Sequence, residues 1–230
     1  MRYKGIVHLH SKYSYDSNLR IEKIVEFALK NQLNFIILSD HDSIAGSLQL
    51  KKIIEQNKLN IIVPVAAEYK TTDGDLIALF IKKEITTKNT IDFVNEVRKQ
   101  NGLVFLPHPY KGHKHIDELA GMVDAIEIFN SRNDHDIDAK ASQLANKLNK
   151  PYYYSSDAHL YTNLKDCIIG FQSPFGLKKA LLTADVRPIN LYRTNKCFII
   201  YTQIIKAIKN KDYKLLLKSI CYFIINGIKA

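Results

Sequence analysis

Short apolar runs alternate with segments of helical periodicity along most of the chain. Each run is four or five residues long and is bounded by polar or turn-forming residues, as is typical of β-strands. The predicted strands are residues 5–9, 35–38, 61–65, 76–80, 103–106, 125–129 and 152–155. Five segments between them carry apolar residues at intervals of three and four, and they predict helices at 21–31, 44–57, 90–100, 116–120 and 136–148. This alternation predicts an α/β fold with a mainly parallel sheet, either doubly wound or closed as a barrel.

Polar residues interrupt this pattern almost only where the predicted strands end. They are His8, His10, Asp40, His41, Glu68, His108, Asn130, Asp157 and His159. In a β/α barrel the carboxyl ends of the strands converge on one mouth, where the active site is built. The sequence therefore places a candidate site at this edge.

The residue types at this edge favour a transition metal. His8 and His10 are two apart on a predicted strand, so both side chains should point to the same face. Asp157 and His159 repeat that spacing. A lone pair of this kind is more often a surface feature, but imidazoles together with carboxylates suit Zn, Mn or Fe(II), whereas Ca and Mg sites are nearly all oxygen. From the residues alone, Glu68 could equally bridge two cations or pair with a lysine. The other histidines, His113, His115 and His135, are expected to be exposed.

The motifs resemble those of the PHP (polymerase and histidinol phosphatase) superfamily over residues 3–170. The matching segments are His8-Leu-His10-Ser, Tyr15-Asp16, Ser39-Asp40-His41-Asp-Ser-Ile-Ala-Gly46, Glu68, Leu106-Pro-His108-Pro109 and Ser156-Asp157-Ala-His159. Each segment is short, but their order and spacing together are specific. The resemblance implies a distorted seven-stranded β/α barrel that holds two to three divalent metal ions and hydrolyses phosphate esters.

The same resemblance implies how the ligands are shared. A first site would use His8, His10, Glu68 and Asp157. A second would use Asp16, His41 and His159. A third would use Glu68 as a bridge, His108 and Asn130, where the family often has histidine. Because asparagine is a neutral and weaker ligand, occupancy of the third site is expected to be low.

Catalysis in this interpretation depends on cations. Mn, Zn or Fe ions that share the carboxylates of Glu68 and Asp157 would lower the pKa of a bridging water and hold the phosphoryl oxygens for attack. Lys111 and Arg132, each just past a strand end that carries a predicted ligand, are the expected phosphate-binding cations. Arg20 is a weaker candidate.

The substrate stays open at this point. Only about 35 residues separate Glu68 from Leu103, room for one strand and one helix but no lid domain. A nucleotide, an oligonucleotide end, a sugar phosphate or histidinol phosphate would fit an open mouth. The alternatives are a degenerate PHP module with a binding role and an amidohydrolase-like metallohydrolase. The latter usually needs a metal-bridging lysine, and none is expected at a strand end.

Positive charge is distributed unevenly along the chain. The net charge is +10, and residues 193–230 carry eight basic residues and one acidic residue, a net +7. We expect a metallo-phosphoesterase barrel at 1–192 and a basic extension of two amphipathic helices at 193–230, broken near Asn210–Asp212. These helices should pack on the barrel or on each other. The alternative is weak contact with nucleic acid or an anionic membrane surface.

Compartment signals are few. Three widely spaced cysteines with no CxxC pair indicate neither a disulfide framework nor a zinc ribbon, so a reducing compartment is expected. The N-terminal residues lack the apolar segment of a secretory signal, and no apolar stretch approaches the ~20 residues of a membrane span. The sequence therefore predicts a cytoplasmic protein without a transmembrane segment.

Overall fold

The computed structural model describes residues 1–227, within which nine strands and eight α-helices form a mixed α/β fold. The strands are β1 (Arg2–Leu9), β2 (Phe35–Leu38), β3 (Ala66–Lys70), β4 (Asp75–Leu79), β5 (Leu103–Leu106), β6 (Ala125–Asn130), β7 (Tyr152–Ser155), β8 (Cys167–Gln172) and β9 (Arg187–Leu191). The helices are α1 (Ile21–Lys30), α2 (Ala45–Gln56), α3 (Thr90–Lys99), α4 (Ile116–Met122), α5 (His135–Lys147), α6 (Leu177–Thr183), α7 (Lys196–Lys209) and α8 (Tyr213–Gly227).

The described strands lie in two sheets, so the predicted closed seven-stranded barrel is not confirmed. One sheet has the order β2-β1-β8-β9 and the other β3-β4-β5-β6-β7. β8 pairs antiparallel with the first half of β1. It therefore occupies the edge of β1 with which β7 would have to pair to close a barrel. Among the described residues, only isolated bridges link the strands at the two places where the sheets meet, among them Leu9 with Ala158 and His41 with Glu68.

The prediction of a mainly parallel sheet is wrong. Parallel pairing joins β1 to β2, β5 to β6 and β6 to β7. The other four pairs of the described strands are antiparallel. β3 and β4 form a hairpin in which the Thr71 amide donates to the Gly74 carbonyl, and a connection this short permits only antiparallel pairing.

The third strand lies five residues later than the sequence predicts. The apolar segment 61–65 makes one isolated bridge, between Ile62 and Phe35, and the strand begins at Ala66. Pro64 explains the shift, because proline has no amide hydrogen to donate to a ladder. Glu68 consequently lies in the middle of β3 rather than after a strand.

Both faces of the central strands are buried. Tyr3, Val7 and Phe35 belong to the apolar cluster between the sheets. Their neighbours Ile6 and Ile36 pack instead among residues of α1 and α2. Most of the histidines and carboxylates therefore lie at strand ends or at irregularities, and Glu68, in the middle of β3, is an exception.

The C-terminal helices are in contact with the rest of the chain. α7 buries Ile200, Ile205 and Ala207, and the break between α7 and α8 falls at residues 210–212, where the periodicity predicts it. Residues 228–230 of the predicted extension lie outside the described residues. Within the described part of the chain, no helix is long and apolar enough to cross a membrane.

Candidate metal centre

His8 and His10 converge, but by a route that regular strand geometry does not provide. The pairing of β1 with β2 shifts register between Val7 and Leu9, and His8 lies in this bulge with φ 58°. A bulge redirects a side chain from its place in the alternation of the strand. Both imidazoles are fully buried, with ring centroids 5.3 Å apart. The assumption of an unbroken i, i+2 geometry is therefore wrong, although the two rings do meet.

Glu68 lies at the centre of the cluster. Its Oε2 is 3.2 Å from His8 Nε2 and 3.3 Å from His10 Nε2, and its Oε1 is 3.2 Å from His108 Nε2. Asp157 Oδ1 lies 3.6 Å from His8 Nε2 and 3.4 Å from His10 Nε2. Two buried carboxylates thus share the same two imidazoles.

A second group forms around Asp16. Its Oδ2 is 3.2 Å from Nε2 of both His41 and His159, and the His10 ring stacks between them at centroid distances of 4.4 and 4.3 Å. The potential ligand atoms of these four residues lie within 4.8 Å of one another. The segment holding Asp16 lies between β1 and α1, where the sequence offers no strand end.

A third group contains a residue that the sequence analysis missed. Asp75, at the start of β4, has a carboxylate oxygen within 4.8 Å of ligand atoms of Glu68 and His108. The hairpin explains this arrangement, since β4 runs antiparallel beside β3 with Asp75 opposite Lys70. Only the pairing of the two strands brings Asp75 to the site, so its position in the sequence gives no signal.

The Asn130 amide is engaged in hydrogen bonds. Its Nδ2 donates to Glu127 at 2.9 Å and to Asp157 at 3.2 Å, and its Oδ1 accepts from the Arg132 amide at 2.9 Å. Glu127 is also new: its carboxylate contacts His8 Nδ1 and the His108 backbone amide. Glu127 stands three residues before Asn130 in the sequence, from which only Asn130 is predicted as a ligand.

The three basic candidates differ in their contacts. Arg132 is at the site: its Nη1 lies 2.5 Å from His159 Nδ1 and 4.0 Å from Asp157 Oδ1. Lys111 is exposed, and its backbone amide donates to the His108 carbonyl. Arg20 is exposed and pairs with Glu22 at 3.4 Å. The structure brings Arg132 alone of these three into contact with the cluster.

Several other polar residues take structural roles. Asp40 accepts hydrogen bonds from the Ser11 amide and hydroxyl and belongs to no group of potential ligands among the described residues. His115 and His135 are exposed, as expected. His113 is only partly exposed, because its Nε2 bonds the Asp75 carbonyl at 2.8 Å. A lysine does end a strand, contrary to expectation, but Lys70 is exposed at the end of β3.

The buried charges stabilise one another. Burial opposes ionisation of Glu68, yet the nearby His8 and His41 hold its pKa well below the usual range. Burial likewise opposes protonation of His10, but the adjacent carboxylates of Asp157 and Glu68 raise its pKa to about 9. His159 differs, since burial and the Arg132 charge lower its pKa to about 4. Apart from His159, the imidazoles and carboxylates of the cluster therefore favour each other's charged forms.

The polar atoms of the cluster fit divalent ions. Among the described residues, His10 Nε2, Asp16 Oδ1 and His108 Nδ1 are buried and make no hydrogen bond. Leaving such atoms unpaired is costly unless another group satisfies them. His8, His108 and Asp157 also adopt positive φ values of 58°, 29° and 44°, a strain of ~1–3 kcal/mol each that is common at functional sites. The cluster is capable of binding metal.

Comparison with known proteins agrees with this site. The sequence profile of the PHP domain matches residues 7–227. Two uncharacterized proteins of Methanocaldococcus jannaschii are similar: MJ1587 is 27% identical over 145 residues, 56% of this chain and 82% of the relative, and MJ0417 is 29% identical over 126 residues, 50% of this chain and 53% of the relative. This chain thus matches only about half the length of the second.

A solved structure has the same fold. It is a two-domain protein from Bacteroides vulgatus that contains a predicted PHP-like metal-dependent phosphoesterase, with a TM-score of 0.68 and 20% identity over 83% of this chain and 65% of that protein. The likeness at this identity concerns the fold. With the profile match along nearly the whole sequence, it follows that the chain belongs to the PHP domain family.

Proposed function

We propose that the protein is a metal-dependent phosphoesterase that hydrolyses a phosphate monoester or phosphodiester. The observation that carries this proposal is the buried cluster in which Glu68 and Asp157 share His8 and His10 while the ligand-type atoms His10 Nε2 and Asp16 Oδ1 have no hydrogen bond in the described part of the chain. A degenerate PHP module would have no reason to keep such costly groups buried.

The proposed ligand sets follow the three groups in the structure. His8, His10, Glu68 and Asp157 would hold one ion. Asp16, His41 and His159 would hold a second, beside His10. Glu68 and His108 would hold a third, with Asp75 or Asn130 completing it. Bound Mn, Zn or Fe ions would lower the pKa of a coordinated water and neutralise phosphoryl oxygens.

Side chains of the protein position the proposed ligands and supply positive charge at this site. Glu68 contacts histidines of all three groups and therefore fixes their relative positions. The guanidinium of Arg132 lies beside His159 and Asp157, where it can bind a phosphoryl oxygen and favour the negative charge of the transition state. The exposed Lys111 is proposed to contact the remainder of the substrate from the loop after β5.

The substrate class follows from the shape and the charge. α3 and β4 fill the segment between Glu68 and Leu103, so no inserted subdomain covers the site there. An open mouth next to Arg132 suits a nucleotide, an oligonucleotide end, a sugar phosphate or histidinol phosphate.

The test is phosphate release by the Mn-loaded protein from a panel of these esters, with an amide and lactone panel run in parallel. The proposal expects turnover of at least one phosphate ester that is lost on treatment with a chelator. Hydrolysis confined to amides or lactones would favour an amidohydrolase-like enzyme. Less than one equivalent of metal per chain after loading would favour a degenerate binding module.

A further inference from the structure

Lys209, near the end of α7, is tied to the loop that carries Asp16. Its Nζ donates to the carbonyls of Lys12, Ser14 and Ser17 at 3.1, 2.8 and 2.5 Å. An ammonium group has three donors, so all of them are used on this loop. No carboxylate among the described residues lies within ion-pair distance of Lys209. Its charge therefore orders the main chain on either side of Asp16.

One turn earlier, Lys206 supports the same region by a different contact. Its Nζ lies 4.8 Å from the centroid of the Tyr15 ring, close enough for a cation–π interaction. The Tyr15 ring also stacks on His41, with centroids 4.6 Å apart and an angle of 8° between the ring planes. This stack fixes the plane of the His41 imidazole, whose Nε2 points at Asp16.

The third contact reaches His159. Thr202 is buried on α7, and its hydroxyl accepts from Arg132 Nη2 at 2.9 Å. The other terminal nitrogen of Arg132 contacts His159 Nδ1. Since Thr202 holds one end of the guanidinium, it determines where the other end meets the imidazole.

Thr202, Lys206 and Lys209 are spaced by four and three residues, so they share one face of α7. Each reaches a different member of the group Asp16, His41 and His159 through one intervening residue. Resting on the proposed function, we propose that α7 is a built part of the second metal subsite and that Lys209 is the residue that positions Asp16 for a divalent cation. Among the described residues the two lysines make no such contact with the first subsite, around His8 and Asp157. Thr202 reaches both subsites, because Nη1 of Arg132 also lies 4.0 Å from Asp157 Oδ1.

This arrangement predicts an effect on one ion only. If α7 merely covered apolar surface, changing Lys209 would affect the stability of the whole protein and would weaken every ion equally. If Lys209 positions Asp16, the ion held by Asp16 is weakened and the others are kept. Metal binding, measured without any substrate, separates these two possibilities.

The experiment uses the full-length chain and titrates Mn or Zn in competition with a chelating dye. Asp16→Ala identifies the equivalent that belongs to this subsite. Lys209→Met is expected to weaken that same equivalent by about 10-fold or more, the size of effect seen when groups behind a ligand are removed, and Lys209→Arg should restore part of it. Lys196→Met is the matched control, since Lys196 is exposed on the same helix.

Equal affinities in Lys209→Met and the wild type would overturn the inference while leaving the proposed function intact. Uniform weakening of all equivalents, with a lower melting temperature of the metal-free protein, would also overturn it. If Lys209→Met does not fold, Lys206→Met decides, because it removes only the cation at the Tyr15 ring that stacks on His41 and is expected to weaken the same equivalent. A wild-type protein that binds no metal would overturn both proposals.

Discussion

Glu127 Oε1 lies 2.9 Å from Nδ1 of His8, and both side chains are completely excluded from solvent. The second oxygen of Glu127 accepts from the His108 backbone amide at 2.6 Å. One carboxylate thus holds the bulged His8 and the backbone of His108, both of which have positive φ. Because Nδ1 of His8 donates to this carboxylate, the neutral imidazole would present the lone pair of Nε2 to a metal ion beside Glu68 and Asp157.

Replacing this carboxylate should weaken metal binding although Glu127 itself is not proposed as a ligand. We expect Glu127→Gln to lower the affinity of the ion at His8 by about 10- to 100-fold, because the amide orients the imidazole less strongly than the carboxylate does. Metal titration with a competing dye measures this change. Glu118→Gln, in an exposed position on α4, is the control, and equal affinities in the two variants would contradict the positioning role.

Removing a proposed ligand should abolish turnover and leave the fold intact. Asp157 and His10 lie beyond the ends of β7 and β1, where side chains contribute mainly to the site. We expect Asp157→Ala and His10→Ala to lose more than about 100-fold in kcat, with a circular dichroism spectrum like that of the wild type. Near wild-type turnover in either variant would show that the ligand assignment is wrong.

Asn130 and Asp75 are alternative ligands for the proposed third ion. If Asn130 faces it, Asn130→His should raise its occupancy at a fixed metal concentration, because imidazole is a stronger ligand than a neutral amide. If Asp75 completes the site instead, Asp75→Asn should lower that occupancy and Asn130→His should leave it unchanged or disturb Glu127 and Asp157. Plasma emission analysis of metal per chain distinguishes the two, and no change in either variant would exclude both.

Metal binding should release protons near neutral pH. In the metal-free protein, burial opposes the charge of His10, but Asp157 and Glu68 raise its pKa to about 9, so it is protonated below that pH. A metal ion requires the neutral imidazole. Apparent affinity is therefore expected to rise with pH up to about 9. Calorimetric titration at one pH in buffers of different ionisation enthalpy measures the protons released, and a value of zero at pH 7.5 would contradict this prediction.

The sequence predicts most elements well because their signals are local. The helix at Thr90–Lys99 begins where predicted and ends one residue earlier, and the strand Tyr152–Ser155 has its predicted bounds. Periodicity within a segment determines such elements. β8, α6 and β9 were missed, and with them the antiparallel partner of β1. Pairing between distant strands leaves no pattern in either strand alone, so the open sheets were not foreseeable.

The same difference between local patterns and long-range contacts applies to the site. The histidines and carboxylates that the sequence places at strand ends lie close together in the structure, because the residue types and their positions coincide at that edge. Their role as ligands stays a prediction. Glu127, Asp75 and Lys209 were missed, since each reaches the cluster only through tertiary structure: a network behind His8, a hairpin partner and a helix from the far end of the chain. The sequence predicts α7 as part of an extension outside the barrel. In the structure three of its side chains contact Ser17, Tyr15 and Arg132, which surround the group of Asp16.

The helices of residues 193–230 are expected to pack on the rest of the protein. α7 buries Ile200, Ile205 and Ala207, so a chain that ends after Arg193 would expose the surfaces they cover. We expect this truncation to lower the melting temperature and solubility, because burial of apolar side chains is a main source of stability. It should also lose the ion proposed at Asp16. A truncated protein that keeps its melting temperature and its metal would show that the helices are a docking element and not a packing one.

Contact with nucleic acid or anionic lipid needs a separate test, since truncation would alter the fold at the same time. Lys214 and Lys218 are exposed on α8, and changing both to glutamine removes two charges without touching the site. If the helices bind phosphates, this variant should leave heparin at lower salt and sediment less with anionic liposomes, because such binding depends on the number of cations. Its melting temperature should match that of the wild type. Retention unchanged by both the double variant and the truncation would exclude docking by this segment.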